Sequence, residues 1–267
     1  MKVTLITGAS GGIGEAIVNR LAERNQNLVL VARNSEKLEK QCRKLKERFG
    51  ISAQFIACDL SKPKAAFEIF EEIQIRNLEI EMLINNAGIG SGGEFVSISL
   101  KSEVDLLQLN ILSLVALTHL FLPSMLKERS GTIVNIGSMA AFMPVPYMAT
   151  YAASKAFVRS FTQALTQECA PHNLKVLLFC PGLTKTNFNS AAGIENEKAI
   201  GLSSDYNNSP AQTPQQVADE LLRALDKGKH FAISGRLNRI SAAILTLLPN
   251  TFITSNIARM YRKRSKI

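Results

Sequence analysis

Val3-Thr4-Leu5-Ile6-Thr7-Gly8-Ala9-Ser10-Gly11-Gly12-Ile13-Gly14, close to the start of the chain, decides how the rest is read. Val3 to Ile6 is a short apolar, β-branched run of the kind that forms a buried strand. After the glycines, Ile13, Ile17, Leu21 and Ala22 fall on one side of a helix, with Glu15, Asn19, Arg20 and Glu23 on the other. Strand, glycine turn and helix make the first βα unit of a dinucleotide-binding fold. Glycines allow the tight turn and let backbone N–H groups approach a pyrophosphate at the helix N-terminus. The spacing is Gly-x-x-x-Gly-x-Gly rather than Gly-x-Gly-x-x-Gly, so a purely structural glycine turn remains an alternative at this point.

Working outward, Asn27 to Ala32 reads as a second strand ending in Arg33. An acid near this place would hold a ribose 2′-hydroxyl, whereas an arginine accommodates a 2′-phosphate. No acid is present, which favours NADP(H) over NAD(H); an ordinary surface arginine is the alternative. Ser35 to Phe49 is a charged helix, Gln54 to Cys58 a third strand ending at Asp59, and Lys64 to Arg76 a helix. Glu81 to Ile84 begins a fourth strand that runs into Asn85-Asn86-Ala87-Gly88. Ser99 to Leu126 reads as one long helical stretch with Asn110 among leucines, where a buried amide needs partners. Its alternative reading is a satisfied structural amide. Thr132 to Gly137 is a fifth strand, Thr150 to Ala170 a helix, and Lys175 to Cys180 a sixth strand running into Pro181-Gly182. Thr213 caps a helix that begins at Pro214, and His230 to Ser234 reads as a seventh strand.

This alternation predicts an α/β, Rossmann-type, doubly wound parallel sheet of about seven strands with helices on both faces. A single domain is expected over residues 1–267. Within it, residues 184–212 are polar and aperiodic, and a loop of that length reads as a substrate loop.

Ser138 follows the apolar run Thr132 to Ile136, so its hydroxyl is expected at the carboxyl end of the fifth strand. Tyr151 and Lys155 are four residues apart and share one helix face. A phenol beside an ammonium ionises more easily, which supplies a proton donor and acceptor near neutral pH. A Tyr-x-x-x-Lys pair alone also fits a solvated helix face.

The composition, 46% hydrophobic and 20% charged, excludes a disordered chain. Cys42, Cys58, Cys169 and Cys180 show no CxxC spacing and read as reduced core residues, in keeping with a cytoplasmic protein. His119, His172 and His230 lack ligand-like spacing, so no metal site is expected. The first residues are too quickly interrupted by glycine for a signal peptide, and no apolar run of the length needed to span a bilayer is expected. The net charge of +9 is concentrated in residues 236–267, which hold seven Lys or Arg and no acid. The body is nearly neutral, which argues against a nucleic-acid surface.

Taken together, Thr7-Gly8-x-x-x-Gly12-x-Gly14, Asp59, Asn85-Asn86-Ala87-Gly88, Asn110, Ser138, Tyr151-x-x-x-Lys155 and Pro181-Gly182 closely resemble the short-chain dehydrogenase/reductase family, from Val3 to about Gly235. The basic residue often found inside the glycine turn of that family is absent, position 11 being glycine, so the NADP(H) expectation rests on Arg33. The resemblance implies that Gly8, Gly12 and Gly14 cradle the pyrophosphate, with Ser10 and Ile13 of the same turn also on the cofactor. It implies that Asp59 contacts adenine, that Asn86, Ala87 and Gly88 line the adenosine side, and that Pro181, Gly182, Thr184 and Thr186 lie by the carboxamide. Tyr151 would be general acid and base. Lys155 would lower its pKa and hold the nicotinamide ribose, Ser138 would bond the substrate oxygen, and Asn110 would anchor a water that relays protons.

The function so implied is an NADP(H)-dependent oxidoreductase acting on a carbonyl or alcohol, as a homodimer or homotetramer. The alternative is a non-catalytic dinucleotide-binding sensor or scaffold on the same fold. Met139 to Pro146 is apolar and uncharged, which suits a hydrophobic aldehyde or ketone, or equally packing against the lid or an interface. The tail has two readings as well. It packs over the cleft or a partner subunit, or it lies peripherally on an anionic membrane.

Overall fold

The computed structural model describes residues 1–186, 188 and 211–265. The strands are β1 (Lys2–Thr7), β2 (Leu28–Ala32), β3 (Ala53–Ala57), β4 (Glu79–Asn85), β5 (Thr132–Ile136), β6 (Lys175–Cys180) and β7 (Phe231–Ile233). All pair in parallel in one sheet of order β3-β2-β1-β4-β5-β6-β7. The order reverses between β1 and β4, and the crevice outside the strand carboxyl ends at such a point is where α/β folds bind ligands.

The strands are near-continuous apolar runs because helices cover both faces. Neighbouring residues then serve opposite cores. Ile6, Leu28, Leu30 and Ile84 face α1 (Gly12–Ala22), α2 (Ser35–Phe49) and α7 (Pro214–Asp226) through Ile17, Leu38 and Leu221. Leu5, Val29, Val31 and Leu83 face α3 (Ala65–Ile75), α5 (Ser113–Glu128) and α6 (Ala149–Cys169) through Ile69, Phe121 and Leu165. The N-terminus of α7 carries the expected cap: Thr213 accepts from the Gln216 N–H, and the Gln216 side chain accepts from the Thr213 N–H.

The long helical stretch expected over Ser99 to Leu126 is present and continuous over Leu100–Glu128, with one irregularity: α4 (Leu100–Leu107) joins α5 through a π-helical turn, Gln108–Leu112. That turn rotates Asn110 inward. The run Leu100–Glu128 is also long and apolar enough, by length and composition, to cross a membrane, which was not expected. Here Leu114, Leu117, Phe121 and Met125 are buried in the protein core.

The tail forms two helices, α8 (Arg236–Leu245) and α9 (Asn250–Ser265). Most of the candidate loop 184–212 lies outside the described residues. Its ends are joined: Lys185 N–H donates to Gln212 O at 2.9 Å, and Gln212 N–H to Leu183 O at 3.0 Å.

Candidate active site

The turn after β1 is built by close approach. A Cβ on Gly14 would lie 2.1 Å from the Gly8 carbonyl oxygen and 2.6 Å from Asn86 Nδ2, so no other residue fits. Gly8 and Gly12 take φ of +65° and +55°, in the left-handed region. Asn86 at the end of β4 donates to Thr7 O at 2.9 Å, while the Thr7 hydroxyl accepts from the N–H groups of Asn86 and Ala87 at 3.0 Å each. The ends of β1 and β4 are thus locked across the switch point. Ser10 is half-buried in this turn and Ile13 packs on the core beneath it. Thr186 crosses the turn from the other side: a Cβ on Gly12 would lie 3.2 Å from its methyl group.

At the end of β2, Arg33 is exposed and in no ion pair among the described residues. Asp59, beyond β3, accepts from the Ser61 N–H at 3.1 Å and the Ser61 hydroxyl at 2.8 Å. Partial burial works against its charge. The bonds to Ser61 and the nearby Arg33 outweigh that and hold the carboxyl below its ordinary range.

The second half of the site lies at the ends of β5 and β6. Ser138 follows β5 and accepts from the Ala140 N–H at 3.1 Å. Pro181 follows β6 and its carbonyl accepts from the Met139 N–H at 3.1 Å, tying the two strand ends together. Beside it a Cβ on Gly182 would lie 2.0 Å from Asn238 Nδ2, so α8 approaches this turn closely. Thr184 is buried, its hydroxyl donating to Gly182 O at 3.0 Å.

Tyr151 and Lys155 lie on the buried face of α6, not a solvated one. Lys155 Nζ donates to Ile136 O at 3.0 Å. Burial lowers the ammonium to about 8. Burial also pushes the Tyr151 phenol up, while the Ser138 hydroxyl beside it acts in the opposite direction. This corrects the expectation that Lys155 depresses the phenol: in the protein alone, loss of water dominates both groups. The ring of Phe188 packs against Tyr151 with centroids 5.8 Å apart.

Asn110 is 1% exposed and clamps the backbone of Ile89, accepting from its N–H and donating to its carbonyl, both at 2.9 Å. Its second N–H goes to Ser154 Oγ at 3.0 Å, and Ser154 donates to Tyr151 O at 2.7 Å. The amide is therefore satisfied, and it fixes α6 relative to the segment after β4. Its oxygen and the Lys155 ammonium both border Gly88. A Cβ on Gly88 would meet Asn110 Oδ1 at 3.1 Å and Lys155 Nζ at 3.4 Å.

The sequence reading missed four residues around the site. Ser154 is one of the three residues between Tyr151 and Lys155, and its bond from Asn110 shows only in the structure. Tyr147 carries a strained φ of +65°, its carbonyl accepting from the Gly93 N–H at 2.8 Å and its ring stacking on Tyr261 of α9 with centroids 3.4 Å apart. The fourth is Glu103 on α4, which with Tyr147, Ala149 and Ala258 lines a cavity of about 260 Å³. Glu103 is 6% exposed, and neither carboxylate oxygen has a hydrogen-bond partner among the described residues. No local pattern marks any of these four.

A glycine turn at a sheet switch point, facing a hydroxyl, a phenol and an ammonium across the strand ends, defines a nicotinamide-dinucleotide oxidoreductase. The chain belongs to the short-chain dehydrogenase family, whose model matches residues 2–197. Hydroxysteroid dehydrogenase-like protein 1 from Gallus gallus is 32% identical over 73% of this chain, which spans 60% of that relative's length. Ketoacyl reductase HetN from Nostoc sp. is 31% identical over 98% of this chain and 88% of its own. Among solved structures, a short-chain dehydrogenase from Sphingobium yanoikuyae in complex with NADPH superimposes with a TM-score of 0.79. Its identity is 30%, covering 92% of this chain and 94% of that one.

Proposed function

We propose that this oxidoreductase prefers NADP(H) and reduces a hydrophobic aldehyde or ketone to the alcohol. The observation that carries the reading is the convergence of Ser138, Tyr151 and Lys155 at the strand ends beside the glycine turn. In this reading Gly8, Ser10, Gly12, Ile13 and Gly14 hold the pyrophosphate, and Asn86, Ala87 and Gly88 line the adenosine side. Asp59 lies by adenine, and Pro181, Gly182, Thr184 and Thr186 lie by the carboxamide. The tight turn at Gly14 fits a dinucleotide, and Arg33, exposed and in no ion pair among the described residues, fits its 2′-phosphate. Bound there, the cofactor supplies the hydride.

Ser138 bonds the substrate oxygen as negative charge gathers on it, which favours the transition state over the ground state. Tyr151 gives that oxygen a proton in reduction and takes it back in oxidation. Lys155 holds the nicotinamide ribose and, with its ammonium lowered to about 8, exchanges a proton close to neutral pH. Asn110 holds α6 in register and offers its remaining lone pair to a relaying water. The apolar run Met139 to Pro146 and the solved neighbour's NADPH support the substrate class and the cofactor, respectively. Homodimeric or homotetrameric assembly and a cytoplasmic setting belong to the same proposal.

Titration with NADPH and NADH tests the cofactor assignment. A charge-assisted contact to phosphate contributes about 1.5–3 kcal/mol, so Arg33→Asp should erase or invert the preference. Equal wild-type affinity for both would overturn it. Oxidation of NADPH against diverse aldehydes and ketones tests turnover, and failure with all of them would leave a binding-only sensor or scaffold.

A further inference from the structure

Helices α8 and α9 meet at a bend of 120°, and neither is long enough to cross a bilayer. On α8, Leu237, Ile240 and Ile244 recur on one face, and Leu247 and Leu248 continue the apolar series into the bend. All five are exposed, Leu247 at 85%, and Phe252 and Met260 on α9 are exposed as well. This is a large apolar surface to leave in water.

The charge around it is of one sign. Residues 236–267 hold seven Lys or Arg and no acid. Arg236, Arg239, Arg259, Arg262 and Lys263 are exposed, and none is in an ion pair among the described residues. A second copy docked through the same face would set like charges against each other, which is unfavourable. An anionic surface with an apolar interior matches both features at once.

We propose that α8 and α9 dock on an anionic lipid surface, with the apolar side chains at the acyl boundary and the basic ones on the headgroups. The docked helix would also be a wall of the cavity lined by Glu103, Tyr147 and Ala149, because Ala258 lines that cavity and Tyr261 stacks on Tyr147. Docking itself does not depend on the catalytic reading, since vesicle binding needs neither cofactor nor substrate.

The test is co-sedimentation of the full chain with vesicles of phosphatidylcholine alone or mixed with phosphatidylserine, at low and high ionic strength. Binding to the anionic vesicles, weakened by salt, is expected. Each basic residue near such a surface multiplies partitioning about fivefold, so R259Q/R262Q/K263Q should lower it on the order of a hundredfold. I240S/I244S/L247S should lose binding while keeping the wild-type circular dichroism spectrum and melting temperature. Absence of binding to anionic vesicles at low salt overturns the proposal, as does undiminished binding by either variant. If the wild type is instead a dimer that I240S/I244S/L247S dissociates, with no vesicle binding, the face is an interface between copies.

Discussion

Lys155 donates a 3.0 Å hydrogen bond to the carbonyl of Ile136, the last residue of β5. The bond pins a buried ammonium on α6 to the strand that delivers Ser138 two residues later. Its location, rather than any neighbouring acid, sets its behaviour: burial brings it down from 10.5 to about 8.

A linkage follows for the protein without cofactor. Because the folded-state value is depressed, the unfolded chain binds the extra proton between about pH 8 and 10.5, and Lys155's contribution to stability rises with pH across that window. The full rise is on the order of 3 kcal/mol. Lys155→Met should abolish it, and the Ile136 carbonyl left without its donor costs about 1 kcal/mol at every pH. Denaturant unfolding of wild type and variant at pH 7.5 and 9.5 measures the difference; parallel changes in the two proteins would refute it. Tyr151, raised by burial, works in the opposite sense above its ordinary value of 10, and the thiols of Cys42, Cys58, Cys169 and Cys180, raised from 9.0 by burial, do so already below that, so Lys155 is read from the difference between the two proteins.

Tyr151→Phe should bind cofactor as the wild type does and lose turnover by a factor of about 10²–10⁴, since only the transferable proton is removed. Single-turnover kinetics on an accepted carbonyl substrate, beside a cofactor titration, separates the two effects. A rate within a few-fold of wild type would remove Tyr151 from the chemistry.

Gly14→Ala sets a Cβ 2.1 Å from the Gly8 carbonyl, a backbone atom that cannot yield cheaply. We expect a loss of about 2–3 kcal/mol in stability together with the loss of dinucleotide binding. Gly11→Ala is the control: its Cβ meets nothing within 4 Å, and it should leave both nearly unchanged. Equal behaviour of the two variants in thermal unfolding and titration would contradict the packing argument.

Glu103→Leu should stabilise the protein. A buried carboxylate without partners costs about 1–3 kcal/mol, against about 0.3–1 kcal/mol gained from an acid in the first turn of α4. The net expectation is a gain of about 1 kcal/mol in unfolding free energy. A loss of similar size would show that a donor reaches the carboxylate in solution.

The sequence by itself determined the elements and most of the chemistry. Apolar runs such as Lys175 to Cys180 read as strands buried on both faces, and the glycines from Gly8 to Gly14 as a tight turn. The four-residue step from Tyr151 to Lys155 placed both on one helix face, because that relation is set by helical geometry alone. The tertiary structure decided what depends on distant parts of the chain. The π turn that swings Asn110 inward is held by Ile89 and Ser154, twenty-one and forty-four residues away. The Tyr147–Tyr261 stack joins segments more than a hundred residues apart, and no local periodicity encodes it. Protonation was hidden for the same reason. Spacing suggested that the ammonium would lower the phenol's pKa, but the desolvation that governs both groups is a property of everything packed around them.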